Sequence, residues 1–251
     1  MQAQARFTEV SPRIQPSAAA DAGPRLDLYA GIHKALRLLM TRTLTAVGST
    51  DPADAAEVAA ARQQVDGLLG LCELHLKDEN AFVHPALERA RPGSSARIAA
   101  DHGHHEESIA DLRDLAALVA HSGVAARAAA LHRLYHALAL FVADNLQHMH
   151  VEETAHNAVL WAAYDDAELA AIEQAIVASI PPDAMAAALH GFFPALNAPE
   201  RAGMLAGMRD GMPPKAFAGV LGIAERTLAA ADFAKLQRDL QRPVPAHLQT
   251  T

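Results

Sequence analysis

The chain contains one cysteine, Cys72, in 251 residues, which excludes an intrachain disulfide and any zinc or iron–sulfur site built from cysteine thiolates. Aromatic residues are only 4% of the sequence. β-Branched runs are scarce beside abundant Ala and Leu, so strands are disfavoured and helices favoured. Basic residues are in deficit, 21 Lys and Arg against 29 Asp and Glu, for a net charge of −8. They form no cluster, which argues against a nucleic-acid groove or a polybasic membrane patch. No uncharged apolar run reaches the roughly 18 residues of a membrane-spanning helix. Met1 to Pro24 is rich in Ala, Ser, Pro and Gln and lacks the basic-then-apolar order of a signal peptide. Residues 1–25 therefore read as a flexible lead-in, and a reducing, cytoplasmic location is expected.

What is present is a hydrophobic share of 51%, enough for a core, arranged with helical periodicity. An all-α fold is predicted, with an up-down four-helix bundle over residues 26–162. Helix A runs from about Leu26 to Val47 with Tyr29, Ile32, His33, Leu36, Leu39 and Thr43 on one face. Helix B opens at Asp51-Pro52 and carries Ala61, Val65, Leu68, Cys72, His75, Glu79 and Phe82 until Pro85 disturbs it. Helix C follows Arg91-Pro92-Gly93-Ser94 with His102, His105, Ile109, Leu112 and Ala116. Helix D extends from about Val124 to Trp161 with Leu138, Phe141, Asn145, His148 and Glu152. In an up-down bundle, late positions on B and D lie at the same end as early positions on A and C, so the ionisable residues of all four stripes meet at one level.

Over residues 163–251 the pattern becomes a 32-residue repeat of short helices. Pro181, Pro213 and Pro245 recur at that spacing, as do Tyr164, Leu196 and Leu228, each followed four residues on by Glu168, Glu200 or Asp232. The unit reads as a helical hairpin with Pro in a first turn. Fewer than three complete copies do not make a self-sufficient solenoid. The segment is therefore expected to pack on the bundle or on a second subunit, giving a homo-oligomer through the C-terminal helices.

Chemistry is concentrated in His-x-x-x-Glu pairs: His75/Glu79, His102/Glu106 and His148/Glu152. At a spacing of four the two side chains share a helix face. Each pair continues an apolar stripe into the bundle, where an isolated charge costs several kcal/mol unless it is paired or holds a metal. A lone inward histidine such as His33 is ordinarily a hydrogen-bonded core residue. Four helices that each contribute such a group at one level are better explained by metal coordination.

The constellation resembles the hemerythrin family, through His33 on helix A, His75-Leu-Lys-Asp-Glu79 on B, Asp101-His102 on C and His148-Met-His-Val-Glu152-Glu153 on D. The resemblance covers about residues 26 to 162. It implies two non-haem iron ions bridged by Glu79 and Glu152, with His33 and His75 on one ion and His102 and His148 on the other. The family's oxygen carriers place a second histidine four residues after the first on helix C. Here that position is Glu106, with His105 one residue earlier, and either is a candidate for the extra ligand. Helix D has the Glu-at-four spacing of the bacterial variants. A ferritin-like site needs two Glu-x-x-His motifs, and only Glu153/His156 has that form. Mixed nitrogen and oxygen donors suit iron, zinc or another first-row metal, so iron is implied by the resemblance alone.

The expected function is binding of O2 or a related small molecule such as NO or peroxide, in a pocket lined by residues such as Leu36, Ile109 and Phe141, for sensing, storage or detoxification. The alternatives are a di-iron oxidase, peroxidase or oxygenase, made more plausible by Glu106, and a zinc-filled structural or interaction protein. No base, nucleophile or cofactor loop identifies an organic substrate. His132 and His136 lie at least three turns before His148, too far to share its site. His84, His104, His150 and His156 are read as solvent-exposed or as hydrogen-bonding behind the ligands. Met185, Met204, Met208 and Met212 read as core or interface, and Cys72 as a small apolar residue.

Overall fold

A computed structural model describes residues 25–241. The expected lead-in over residues 1–24 and the third repeat proline, Pro245, lie outside them. Helix α1 spans Ala30–Ser49, its start held by the Asp27 carboxylate, which accepts from the backbone N–H of Tyr29 (2.9 Å) and Ala30 (3.2 Å). Helix α2, Ala55–Asp78, is capped by Asp54, which accepts from Ala56 and Glu57 and so satisfies first-turn donors that have no partner within the helix. The cap therefore falls three residues beyond the expected Asp51-Pro52.

Pro85 does not end the second helix. The chain passes through one π turn, Glu79–Val83, directly into α3, His84–Ala90, where Pro85 occupies the first turn. There its missing N–H costs no helical hydrogen bond. The loop to α4, Ala96–His121, turns at Gly93, whose φ of 84° is a left-handed conformation that favours glycine. The Glu88 carboxylate ties this loop by accepting from the Gly93 and Ser95 N–H groups. Helix α5, Val124–Val151, likewise continues through a π turn, Glu152–His156, into α6, Asn157–Ala163.

Helix α1 packs against α2 and α5, and α4 packs against the same two, closing a ring of four helices. Its core runs along the inward stripes, with Leu36, Met40, Val65, Leu68, Leu69, Leu112, Leu134 and Leu138 all essentially inaccessible. A second apolar cluster, at the end of the bundle where the inward histidines gather, joins Tyr29, Val83, Ala86, Leu87, Leu160 and Leu169.

After α6 come α7 (Asp166–Ser179), α8 (Pro182–Ala195), α9 (Ala198–Gly211), α10 (Pro214–Thr227) and α11 (Ala230–Gln241). Each starts sixteen residues after the one before, half the sequence repeat. The recurring acids have a structural role here. Glu168 and Glu200 close capping boxes with Asp165 and Asn197, whereas the corresponding third position is Ala229, which has no side-chain acceptor. The helices differ from the expected hairpins. Helices α7 and α8 meet at a bend of 117°, and the closest pairings are next-but-one, α8 with α10 and α9 with α11. The links behind this are two residues long, with Ile180, Leu196 and Leu228 in extended conformation. The segment has its own core, Leu189, Phe193, Leu205, Ile223, Ala224 and Leu236, against which Met185, Met204 and Met208 pack. It docks on the bundle by laying α8 across α1. The crossing is close at Gly191, where a Cβ would stand 3.0 Å from Leu39 Cδ1. An ion pair between Lys34 and Glu200 flanks it. Among the described residues no single helix is long and apolar enough to cross a membrane.

Candidate metal centre

The end of the bundle near Tyr29 gathers His33 from α1, His75 from the last turn of α2, Glu79 and Glu152 from the first positions of the two π turns, His102 from α4 and His148 from the last turn of α5. All six are buried. They form two overlapping groups, His33, His75, Glu79, Glu152 and Glu79, His102, His148, Glu152. The ligand atoms within each group lie within 4.8 Å of one another. The two glutamates belong to both groups. His33 Nε2 stands 3.3 Å from Glu152 Oε2, His75 Nε2 3.4 Å from Glu79 Oε1, His102 Nε2 3.3 Å from Glu79 Oε2 and His148 Nε2 3.0 Å from Glu152 Oε1.

These contacts are not aligned as hydrogen bonds. The four Nε2 atoms and all four carboxylate oxygens are buried without a hydrogen-bond partner. At about 1–3 kcal/mol for each unsatisfied buried polar atom, the cluster costs on the order of 10 kcal/mol. That rivals the ~5–15 kcal/mol by which a whole domain is stable. Cations among these atoms remove the cost, and nitrogen plus carboxylate oxygen is a donor set for first-row metals. The residues present therefore fit a pair of metal ions.

The ionisation of the metal-free cluster shows the same frustration. Burial and the adjacent Glu152 push the Glu79 carboxyl well above the usual carboxylate range. Burial acts on Glu152 in the same direction, but contacts from His102, His148 and His33 outweigh it and hold Glu152 well below that range. Burial, together with nearby imidazoles, holds His75 well below the usual histidine range, and burial also lowers His102. Neutral imidazoles with free Nε2 lone pairs are the form that binds metal.

Behind two of these histidines, His33 and His102, the Nδ1 atom is held in place, whereas His148 Nδ1 is buried without a partner. His33 Nδ1 lies 2.9 Å from Glu153 Oε1, and both oxygens of that carboxylate also accept from Arg37. His102 Nδ1 lies 2.8 Å from Asn80 Oδ1. Such partners fix the tautomer and aim Nε2. Neither Glu153 nor Arg37 was assigned this role from the sequence. The signal for Glu153 was its place directly after Glu152.

The two helix C candidates separate clearly. Glu106 is exposed and borders a surface groove with Glu73, Lys77 and Asn80. One residue along α4 is about 100° around the helix, which carries Glu106 out of the bundle. The cluster does not include it. His105 is buried, its ring centre 4.6 Å from that of His148, with Nε2 3.0 Å from Asp144 Oδ2 and Nδ1 unpartnered. It stands outside both four-residue groups but borders a small enclosed cavity of about 10 Å³, roughly the room for one water. The cavity lining includes His75, His105 and His148 together with Leu36, Ile109 and Phe141. Cys72 also faces it. Burial pushes its thiol up to about 12, so it remains a neutral, apolar wall.

Among the flanking histidines, His104 and His150 are exposed, whereas His84 and His156 are buried. His132 and His136 lie at the other end of the bundle, in an open groove with Gly48 and Tyr135 for His132 and with a ring contact to its neighbour for His136. Met212 is only partly buried.

Comparison with known proteins adds one finding to this geometry: the profile of the hemerythrin HHE cation-binding domain matches residues 25–159. No curated protein and no solved structure matches the chain. The matched span covers more than half the sequence and contains every member of the buried His/Glu cluster, and on this ground the chain belongs to the hemerythrin HHE cation-binding family.

Proposed function

We propose that the bundle holds a pair of non-haem iron ions bridged by Glu79 and Glu152, and that the pair binds O2 or a related small molecule such as NO or peroxide. The observation that carries this reading is the sharing of two carboxylates between two four-residue donor groups. His33 and His75 complete one ion's protein ligands, and His102 and His148 complete the other's. When bound, a ferrous pair supplies the electrons that a small oxidant requires.

The chain's own residues set the terms of that encounter. The cavity beside His75, His105 and His148 has room for about one water, which favours a very small molecule over an organic substrate. Its wall of Leu36, Ile109 and Phe141 keeps bulk water from the reduced species. His105, anchored to Asp144 through Nε2, borders this space with Nδ1 free for a hydrogen bond to a bound ligand. The exposed position of Glu106 removes the carboxylate that favoured an oxygen-consuming enzyme. Binding for sensing, storage or detoxification is therefore preferred to turnover.

The test is anaerobic reduction of the iron-loaded protein followed by O2 or NO. A long-lived spectrum that reverses when the gas is removed supports binding, whereas rapid irreversible oxidation with repeated O2 consumption supports turnover. Protein that takes up zinc but no iron from iron-replete medium overturns both redox readings.

A further inference from the structure

Two buried histidines outside the paired donor groups share the features of the ligands. His84 and His156 are 7% and 2% exposed, and the Nε2 of each is buried without a partner. His156 Nδ1 lies 3.0 Å from the hydroxyl of Tyr29, itself 1% exposed. His156 thus has its Nδ1 clasped and its Nε2 without an aligned partner, as His33 and His102 do, with the Ser94 backbone also beside the ring. His84 stacks on His102 with ring centres 4.8 Å apart.

The rings of His84 and His156 are 5.9 Å apart at 89°. The pairs within the two donor groups are similar, His33 and His75 at 5.1 Å and 90°, His102 and His148 at 5.0 Å and 45°. Two imidazoles on one ion, with metal–nitrogen distances of about 2.0–2.1 Å, have ring centres roughly 5–6.5 Å apart. An unpaired buried nitrogen costs about 1–3 kcal/mol, and two on neighbouring rings call for an occupant.

The backbone explains how His84 reaches this place. Five residues beyond Glu79, it would lie about 140° around an uninterrupted α-helix. The π turn Glu79–Val83 takes up an extra residue and brings His84 back to the bundle interior. The sequence also offers His84/Glu88 as a His-x-x-x-Glu pair, but Glu88 turns outward to hold the Gly93–Ser95 loop, leaving His84 without a carboxylate partner.

We infer that His84 and His156 form a third ion-binding position beside the proposed pair, taking a divalent first-row cation such as zinc or ferrous iron through two imidazole nitrogens, with water completing its shell. Two protein ligands and repulsion from the neighbouring cations make this the weakest position, the last to fill and the first to empty.

The full chain, stripped by chelator and titrated with zinc, tests this. The expected wild-type result is saturation at three ions per chain, the third bound at least tenfold more weakly. His84→Ala and His156→Ala saturate at two with unchanged helicity. Tyr29→Phe, which keeps the ring but frees His156 Nδ1, weakens the third ion only. Crystals of the zinc-loaded wild type provide a measurement independent of variant folding, with a third anomalous peak about 2.0–2.1 Å from both Nε2 atoms. Saturation at two ions, or a third ion that persists in both alanine variants, overturns this inference and leaves the paired site standing. A single ion at His84 and His156 overturns the paired site instead.

Discussion

Glu153 Oε1 lies 2.9 Å from His33 Nδ1, across the imidazole from the Nε2 that faces Glu152 at 3.3 Å. One short stretch of chain therefore supplies both a carboxylate shared by the two donor groups and the carboxylate that orients a histidine of one of them. Burial raises the Glu153 carboxyl, but bonds from His33 and Arg37 outweigh it and hold the group at about 2, so it is ionised at all working pH. A charged acceptor on Nδ1 makes Nε2 a better donor.

Glu153→Gln, which keeps the shape and removes the charge, is expected to weaken one of the two ions by about 10–100-fold with little effect on the other. Competition against a chromophoric chelator measures this. Equal affinities for wild type and variant would show that the contact does not support the site.

Glu106→Ala is expected to leave metal content, affinity and the spectrum of the loaded protein unchanged, because that side chain is exposed on α4. His105→Ala, by contrast, should keep both ions and speed the loss of a bound protonated species such as peroxide by removing a hydrogen-bond acceptor, Nδ1, at the cavity edge. Loss of an ion on Glu106→Ala would place the helix C ligand back at that residue.

Acid should destabilise the metal-free protein. Burial, foremost, lowers His75, His102 and His156, and lowers His84 to about 4. The unfolded chain takes up these protons near pH 6.5 while the folded chain resists them. Stability from these groups is therefore present above about pH 6.5 and is lost as the pH falls toward 4. Calorimetry of the chelator-treated protein should show Tm falling across that window. A flat Tm from pH 7 to 4.5 would mean that the imidazoles are not held neutral.

The apolar stripes, the four-helix ring and the level at which the histidines meet were legible in the sequence, because 3.6-residue periodicity fixes which side chains share a face. So was the 32-residue period, two of whose three recurring acids, Glu168 and Glu200, prove to be capping-box residues. The π turns at Glu79 and Glu152 were not legible. A one-residue shift of hydrogen-bond register carries no composition signal, and it moved His84 from an apparent flank to the interior. The disturbance expected at Pro85 takes the form of the first π turn, after which the proline sits in the first turn of α3. The packing of α8 on α10 was hidden because repeat spacing sets where helices begin, not how their links bend.

Ile109→Phe should fill the cavity beside His105 and His148. Both ions are expected to stay, while binding of O2 or NO to the reduced, loaded protein slows or weakens at least tenfold, as stopped-flow mixing can measure. Unchanged binding would mean that the small molecule approaches from another side.

The most direct test of the central claim is the metal content of the full chain purified from iron-replete cells, compared with Glu152→Ala, which removes a carboxylate shared by both donor groups. The account predicts two tightly held iron ions per wild-type chain and loss of both in the variant. A wild-type content near zero, or a variant that keeps the full content, would contradict it.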